Sequence, residues 1–400
     1  MDGRTISIST PEGALETYLA MPASGSGPGL ILLPEGLGIN SQVRDLADFY
    51  AEEGYMVVTP GLRPGNDRKI ECEDYRRLDI DPMIADVGAA VAALRKDSAC
   101  TGKVAALGYC LGGSIACQAM ARLALDAAVA YCPVGLEMDL DKIRSTSRPI
   151  SLHFGADDPF VPASVRIAIK QALAGNDAAE FYSYIGAGHC FSDRSNPAFS
   201  RPAASLAHSR TIGFLHSTVG PKYDLEALWE KHLEGEFVTG DADATIATMV
   251  ERPYVNHVPT MIGGFGREQL HRYYKHHFIP QAKGSQMIPV SRTVGTDRLV
   301  DEFVASFIHD TPNDTLLPGV APTGKRIEIP MVAIVQFRGD KLCKEHLYWD
   351  QASVLAQLGL LDVSSLPVTG AEAAARVLDD TLPLNTLRAD LWWKNSEPRR

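Results

Sequence analysis

The first half of the chain alternates between two hydrophobic periods. Short continuous apolar runs, such as Gly29-Leu30-Ile31-Leu32-Leu33-Pro34 and Tyr55-Met56-Val57-Val58-Thr59-Pro60, read as strands buried on both faces. Longer stretches with helical spacing lie between them, at residues 43–53, stopped by Gly54, and at residues 82–96. Further strand-like runs occur at 103–107, 127–131, 150–154 and 179–184, with helices between. Near the start, residues 5–8 and 15–20 alternate apolar and polar like an antiparallel hairpin around Pro11-Glu12-Gly13. Alternating strand and helix predicts a mostly parallel, doubly wound α/β sheet. In such sheets the chemistry belongs at the carboxyl ends of the strands.

After a closing helix at 206–216 and a linker at 217–221, the pattern changes. Helices are predicted at 224–237, 242–249 and 267–278, with a short strand or turn at 254–259. Long strands then follow at 290–294, 298–309, 326–337 and 341–349, and Gly339-Asp340 is a hairpin signal. Helices first and long antiparallel strands after predict an α+β cone, a curved sheet over helices with a pocket in its mouth. The domains are read as 1–219 and 223–366, with a tail at 367–400. The tail has one helical piece at 371–379 and the pair Trp392-Trp393, expected to dock on a domain surface or a partner subunit.

Composition narrows the function. Four hundred residues exceed what one core usually holds, and 45% hydrophobic with 22% charged residues is ordinary globular composition. A formal net charge of −11 argues against nucleic acid or an anionic membrane as the main partner. The start Met1-Asp2-Gly3-Arg4 lacks the apolar stretch of a signal peptide, and no run approaches the roughly 18 apolar residues of a membrane span. Seven cysteines, odd in number and without a C-x-x-C pair, fit reduced thiols in the cytoplasm.

Candidate chemistry centres on Gly108-Tyr109-Cys110-Leu111-Gly112, which has the spacing of the nucleophile elbow G-x-S-x-G with sulfur for oxygen. Glycines on both sides let a side chain project from a strained strand-to-helix turn, and the helix start favours a thiolate. Past the strand at 150–154, Gly155-Ala156-Asp157-Asp158 presents acids, of which Asp158 is taken over Asp157. Past the strand at 179–184, Gly186-Ala187-Gly188-His189 presents a histidine, so the order is nucleophile, acid, base. Glu35, directly after a buried strand, is expected beside the thiol and able to share its proton. The Gly36 and Leu111 N–H groups are expected to form the oxyanion hole.

Leu33-Pro34-Glu35-x-x-Gly38, Gly108-Tyr109-Cys110-Leu111-Gly112-Gly113, Gly155-x-x-Asp158 and Gly188-His189-x-Phe191 together resemble the dienelactone hydrolases (carboxymethylenebutenolidases) over about residues 1–215. The resemblance implies an α/β-hydrolase with a Cys110–His189–Asp158 triad and an accessory Glu35. It implies cleavage of a small ester or enol-lactone through an acyl-enzyme thioester, with no metal or organic cofactor. Muconate-pathway members carry an arginine four residues after the histidine. That position is Asp193 here, followed by Arg194, and Arg76 and Arg77 offer substitute cations beside Phe191 as candidate substrate contacts.

Trp229, Tyr254-x-x-His257, Gly324-Lys325-Arg326-Ile327-Glu328 and His346-x-x-Trp349-Asp350 resemble the SnoaL-like polyketide cyclases of the nuclear-transport-factor type. This resemblance implies acid–base chemistry at Asp350 in a pocket with His257, His346 and Trp349. Alternatively it implies a non-catalytic module that pairs the chain into a homodimer. His271, His276 and His277 show no established ligand spacing, so no metal is expected there.

Overall fold

The computed structural model describes residues 3–35, 38–62 and 72–388, which fall into two compact units, Met1–Tyr223 and Asp224–Arg400. Eight strands of the first unit share one sheet: β1 (Arg4–Thr10), β2 (Gly13–Ala20), β3 (Gly27–Leu33), β4 (Met56–Pro60), β5 (Cys100–Tyr109), β6 (Ala127–Tyr131), β7 (Ile150–Gly155) and β8 (Ala179–Tyr184). Their order across the sheet is β1-β2-β4-β3-β5-β6-β7-β8. The β1–β2 junction is the expected antiparallel hairpin, β2–β4 is also antiparallel, and the rest are parallel as the buried runs predicted. Helices α1 (Ser41–Glu52), α2 (Asp81–Lys96), α3 (Leu111–Arg122), α4 (Leu140–Arg144), α5 (Ala163–Ala172) and α6 (Arg201–Thr218) connect and cover the strands.

Strand β3 shows why its run has no alternation. Leu30 and Leu32 enter one core with Tyr50, Leu107 and Phe214, while Ile31 and Leu33 enter another with Met83, Val104 and Ile115. With helices over both faces, both sets of side chains must be apolar. Burying each of these branched side chains contributes about 1.5–3 kcal/mol.

In the second unit, α7 (Leu225–Leu233), α8 (Ala242–Ala247), α9 (Arg267–Tyr273) and α10 (Ile279–Ala282) accompany a six-stranded sheet. Its strands are β9 (Met249–His257), β10 (Ile262–Phe265), β11 (Gln286–Val294), β12 (Arg298–Ile308), β13 (Arg326–Arg338) and β14 (Lys341–Trp349), in the order β10-β9-β14-β13-β12-β11. Helices α11 (Gln351–Leu358) and α12 (Glu372–Leu378) follow. Along β13, Ile327, Ile329, Met331, Ala333, Val335 and Phe337 are buried and the residues between them are not, the period of a one-face strand.

Three expectations need correction here. The helix expected over 224–237, capped by Asp224 accepting from the Ala227 N–H at 3.0 Å, turns π-helical over Glu234–Thr239, and the helix over 267–278 does the same over Tyr274–Phe278. Met249 opens a strand instead of closing a helix, so β9 runs to nine residues. That strand pairs parallel with β14, so the sheet is mixed, which the long connection between the two strands permits. The Trp392-Trp393 expectation lies outside the described residues. Among the described residues, no helix is long and apolar enough to cross a membrane.

Candidate active site

Strand β5 ends at Tyr109 and α3 begins at Leu111, which leaves Cys110 alone at the turn. Its φ of 52° and ψ of −116° are rare for an L-residue and cost about 1–3 kcal/mol, so the surroundings must impose them. They do: the Cys110 N–H donates to the Tyr131 carbonyl at 2.8 Å, and the Gly113 N–H donates to the Cys110 carbonyl at 3.1 Å. The flanking glycines are steric requirements. A Cβ on Gly108 would run into the Gly112 carbonyl, and one on Gly112 into the carbonyls of Leu33 and Pro34. Cys110 is 2% exposed and stands where the first N–H groups of α3 lack intrahelical acceptors and favour negative charge.

Past β7, Asp157 points outward and Asp158 inward. Asp158 Oδ1 accepts from the Phe160 N–H at 2.8 Å and the Val161 N–H at 3.3 Å, while Oδ2 lies 2.7 Å from His189 Nδ1. His189 Nε2 lies 3.1 Å from Cys110 Sγ. The acid and histidine loops meet backbone to backbone. A Cβ on Gly155 would run into the Ala187 and Gly188 carbonyls, and the Asp157 N–H donates to the Ala187 carbonyl at 3.0 Å. Arg166 Nη1 ties the acid loop to α5 by donating to the carbonyls of Gly155 at 3.1 Å and Val161 at 2.9 Å.

Electrostatics follow from this packing. Burial works against a charged imidazole, but hydrogen bonds with Asp158, Cys110, Cys132 and Cys190 outweigh it and hold the His189 pKa well above the usual histidine value. Burial likewise pushes the Asp158 carboxyl up, yet the hydrogen bond and charge of His189 and the Phe160 N–H leave it below the usual carboxylate range. The result is an imidazolium–carboxylate pair with a proton facing the sulfur.

Two more thiols belong to the site and were not foreseen. Cys132, at the carboxyl end of β6, has φ 44°, and Cys190 has φ 59°. Burial raises both thiol pKa values, that of Cys190 to about 11, and both hydrogen-bond to His189. Cys190 Sγ donates to Glu35 Oε2 at 3.1 Å, and the Tyr75 hydroxyl donates to the Glu35 carbonyl at 3.4 Å. The thiol resting on the Glu35 carboxylate is thus that of Cys190, whereas the sequence suggested Cys110. The signal available was position: Cys132 ends a predicted strand and Cys190 adjoins the histidine. Leu111, buried, opens α3, while Gly36 lies outside the described residues.

The model of the dienelactone hydrolase family matches residues 15–219, just over half of the chain. The chain belongs to the dienelactone hydrolase family. It is 31% identical over 223 residues to a carboxymethylenebutenolidase from Pseudomonas putida, covering 52% of this chain and 94% of that one. Carboxymethylenebutenolidase 1 from Cupriavidus pinatubonensis is 28% identical over 215 residues, covering 51% and 92%. Among solved structures, a dienelactone hydrolase-like promiscuous phosphotriesterase from metagenomic libraries is similar at 20% identity and TM-score 0.48, covering 55% of this chain and 98% of that one. Family membership makes the first unit an α/β-hydrolase and the chain a carboxymethylenebutenolidase-like hydrolase.

In this chain the candidate cations take different positions. Arg76 Nε pairs with Glu137 Oε1 at 2.6 Å and its Nη2 donates to the Phe160 carbonyl at 2.8 Å, behind a Phe160 ring set edge-on to His189 at 5.0 Å. Arg194 is exposed, and the Arg77 side chain lies outside the described residues. Phe191 is a correction. It is 0% exposed and packs on Tyr131 and Tyr184, because the chain after Cys190 turns into the core beneath the loop. Glu35 with Cys190, and Cys132 with Asp158, each form a metal-ligand-like set with His189 within 4.8 Å. Both sets share the imidazole that already serves Asp158 and Cys110, so a metal would dismantle the triad.

The second unit holds a cavity of about 260 Å³ on the inner face of its sheet. His257 lines it, is 3% exposed, and has its pKa lowered to about 4 by burial, so it is neutral. The other three expected pocket residues do not line it. Asp350 caps α11, its carboxylate accepting from the Ala352 N–H at 2.9 Å and the Ser353 hydroxyl at 2.7 Å. Trp349 Nε1 donates to Gln351 Oε1 at 2.6 Å, and the His346 ring meets Tyr254 at 5.6 Å. The cause is a register shift between Leu342 and Lys344, which carries Glu345 and Leu347 inward with Leu342 and leaves His346 on the other face. His271 and His277 pair with Asp243 at 2.8 Å and Asp314 at 3.1 Å, and His276 is exposed.

Proposed function

We propose that the first unit cleaves a small ester or enol-lactone by cysteine-dependent acyl transfer. One observation carries this reading: the unbroken relay from Cys110 Sγ to His189 Nε2 at 3.1 Å and from His189 Nδ1 to Asp158 Oδ2 at 2.7 Å. The sulfur attacks the acyl carbon, and the Leu111 N–H at the start of α3 faces the developing oxyanion. His189 gives its proton to the departing oxygen, leaving a thioester on Cys110. As neutral imidazole it then takes a proton from water, whose oxygen attacks the thioester and frees the acid. Asp158 holds the ring in position throughout. Glu35, held by Cys190, keeps a carboxylate close to the nucleophile.

Asp193 stands where muconate-pathway members carry the carboxylate-binding arginine. It repels a carboxylate there, which favours an uncharged group at that end of the substrate. Helices against one face of a sheet, with an apolar cavity between, support reading residues 223–366 as a SnoaL-like module, with no role for Asp350 beyond its cap. The test is turnover of p-nitrophenyl esters and enol-lactones by the wild type and by Cys110→Ser. The expected result is a burst in the wild type that the variant lacks. Equal turnover by both proteins, or no turnover with Cys110 inert to iodoacetamide, overturns the reading.

A further inference from the structure

A second set of buried titratable groups lies outside the hydrolase chemistry. His232 on α7, Glu236 in the π-helical stretch after it and Glu345 on β14 are 0%, 5% and 4% exposed, and each offers an atom within 4.8 Å of the other two. His232 Nε2 lies 3.1 Å from Glu236 Oε1, and its Nδ1 lies 2.6 Å from Thr248 Oγ1. Burial lowers the His232 pKa, but the Glu236 charge and hydrogen bond outweigh it and raise it, which favours a charged imidazole beside the Glu236 carboxylate.

Glu345 is different. No hydrogen bond with a described residue engages its carboxyl, although the side chain is buried and lines the cavity. Its carboxyl oxygens are open to the cavity and not sealed in packing, and Leu342 and Leu347 show what serves the same strand face when packing is the only requirement. Burial, with the Glu236 charge beside it, pushes the Glu345 carboxyl up to about 8, which keeps its proton in place at neutral pH. The cavity walls are otherwise mainly apolar, including Trp229, Phe237, Phe278, Phe303 and Met331. Arg292 and Asp301 also line it, but they pair with each other at 3.0 Å, and Arg292 is further engaged by Glu226 at 3.0 Å and Glu230 at 3.2 Å. Both π-helical stretches contribute to the walls, and such stretches are frequent at functional sites.

We propose that this cavity binds an uncharged, largely apolar molecule whose carbonyl oxygen accepts a hydrogen bond from Glu345. The Glu236–His232 pair sums to zero and Glu345 adds no charge, so nothing there offsets the desolvation of an ionic ligand, and Glu236 repels an anionic one. The volume has room for a small bicyclic molecule.

The experiment is calorimetric titration of the full chain at pH 7 with 2-acetylnaphthalene and with its carboxylate analogue 2-naphthoate. The ketone should bind one site, at least about tenfold tighter than the carboxylate. Glu345→Gln, which keeps an N–H donor, should stay within about threefold of wild type, and Glu345→Leu should weaken the ketone by about tenfold or more. Ala333→Phe, which fills the cavity, should abolish binding, and Cys110→Ala should leave it unchanged. No ketone binding, equal affinity for both probes, unchanged affinity in Glu345→Leu or Ala333→Phe, or loss in Cys110→Ala overturns the proposal. The two wild-type titrations decide it even where a variant fails to fold.

Discussion

Each unit buries a carboxyl group next to a histidine, with opposite results. Asp158 accepts two backbone N–H groups and an imidazole, and its pKa falls below the usual range. Glu345 accepts no hydrogen bond from the described residues and faces the charge of Glu236, and its pKa rises to about 8. Burial alone pushes both upward, so burial does not decide the outcome. The donors aimed at the oxygens do. One carboxyl becomes a fixed charge that orients a base, and the other a neutral donor in an apolar chamber.

The comparison is broken most severely at the nucleophile. Cys110→Ala should lower kcat/KM for a cleaved ester by about 10⁴-fold or more, while 2-acetylnaphthalene binding stays at the wild-type level. Asp158→Asn should lower kcat by about 10³-fold, since the amide no longer stabilises the imidazolium or holds its tautomer. Near-wild-type turnover in that variant would mean that Cys132 and Cys190 orient His189 by themselves.

Thermal melts against pH sharpen the contrast. The depressed Asp158 pKa gives a stabilisation that is full above the ordinary carboxyl range and lost as pH falls through the folded value. His189, raised, stabilises fully below its ordinary value and loses this only as pH rises through its folded one. Glu345 runs the other way from Asp158. Its raised pKa makes wild-type stability fall as pH climbs from the ordinary carboxyl range toward about 8. Glu236, His232 and the hydroxyls of Tyr273 and Tyr274 face it and stay in place in Glu345→Gln. That variant should gain in melting temperature over wild type progressively between pH 5 and pH 8. A constant difference across that range would show Glu345 ionised throughout. The smallest effect belongs to Asp350→Ala, which should cost about 1 kcal/mol of stability through the lost cap and leave both turnover and ketone binding unchanged.

The first half was legible because its chemistry is local. Cys110 and Asp158 follow buried strands closely and His189 follows the half-buried β8 by five residues, and Gly108, Gly112 and Gly155 report turns that admit no Cβ. A parallel sheet brings such strand ends to one edge whatever the details of packing. The period-2 pattern of β13 was equally readable, since it needs only one buried face.

What the chain determined by itself is therefore the elements of the first unit and the residues at their ends. The tertiary structure alone decided which thiol meets Glu35, a contact between residues 155 positions apart. It also decided that Phe191 fills core, and that Glu345, not His346, faces the cavity. That last choice turns on one register shift in β14, and side chains on a strand change face with every residue. No local pattern announces a bulge whose only cause is the pairing of strands far apart in the chain.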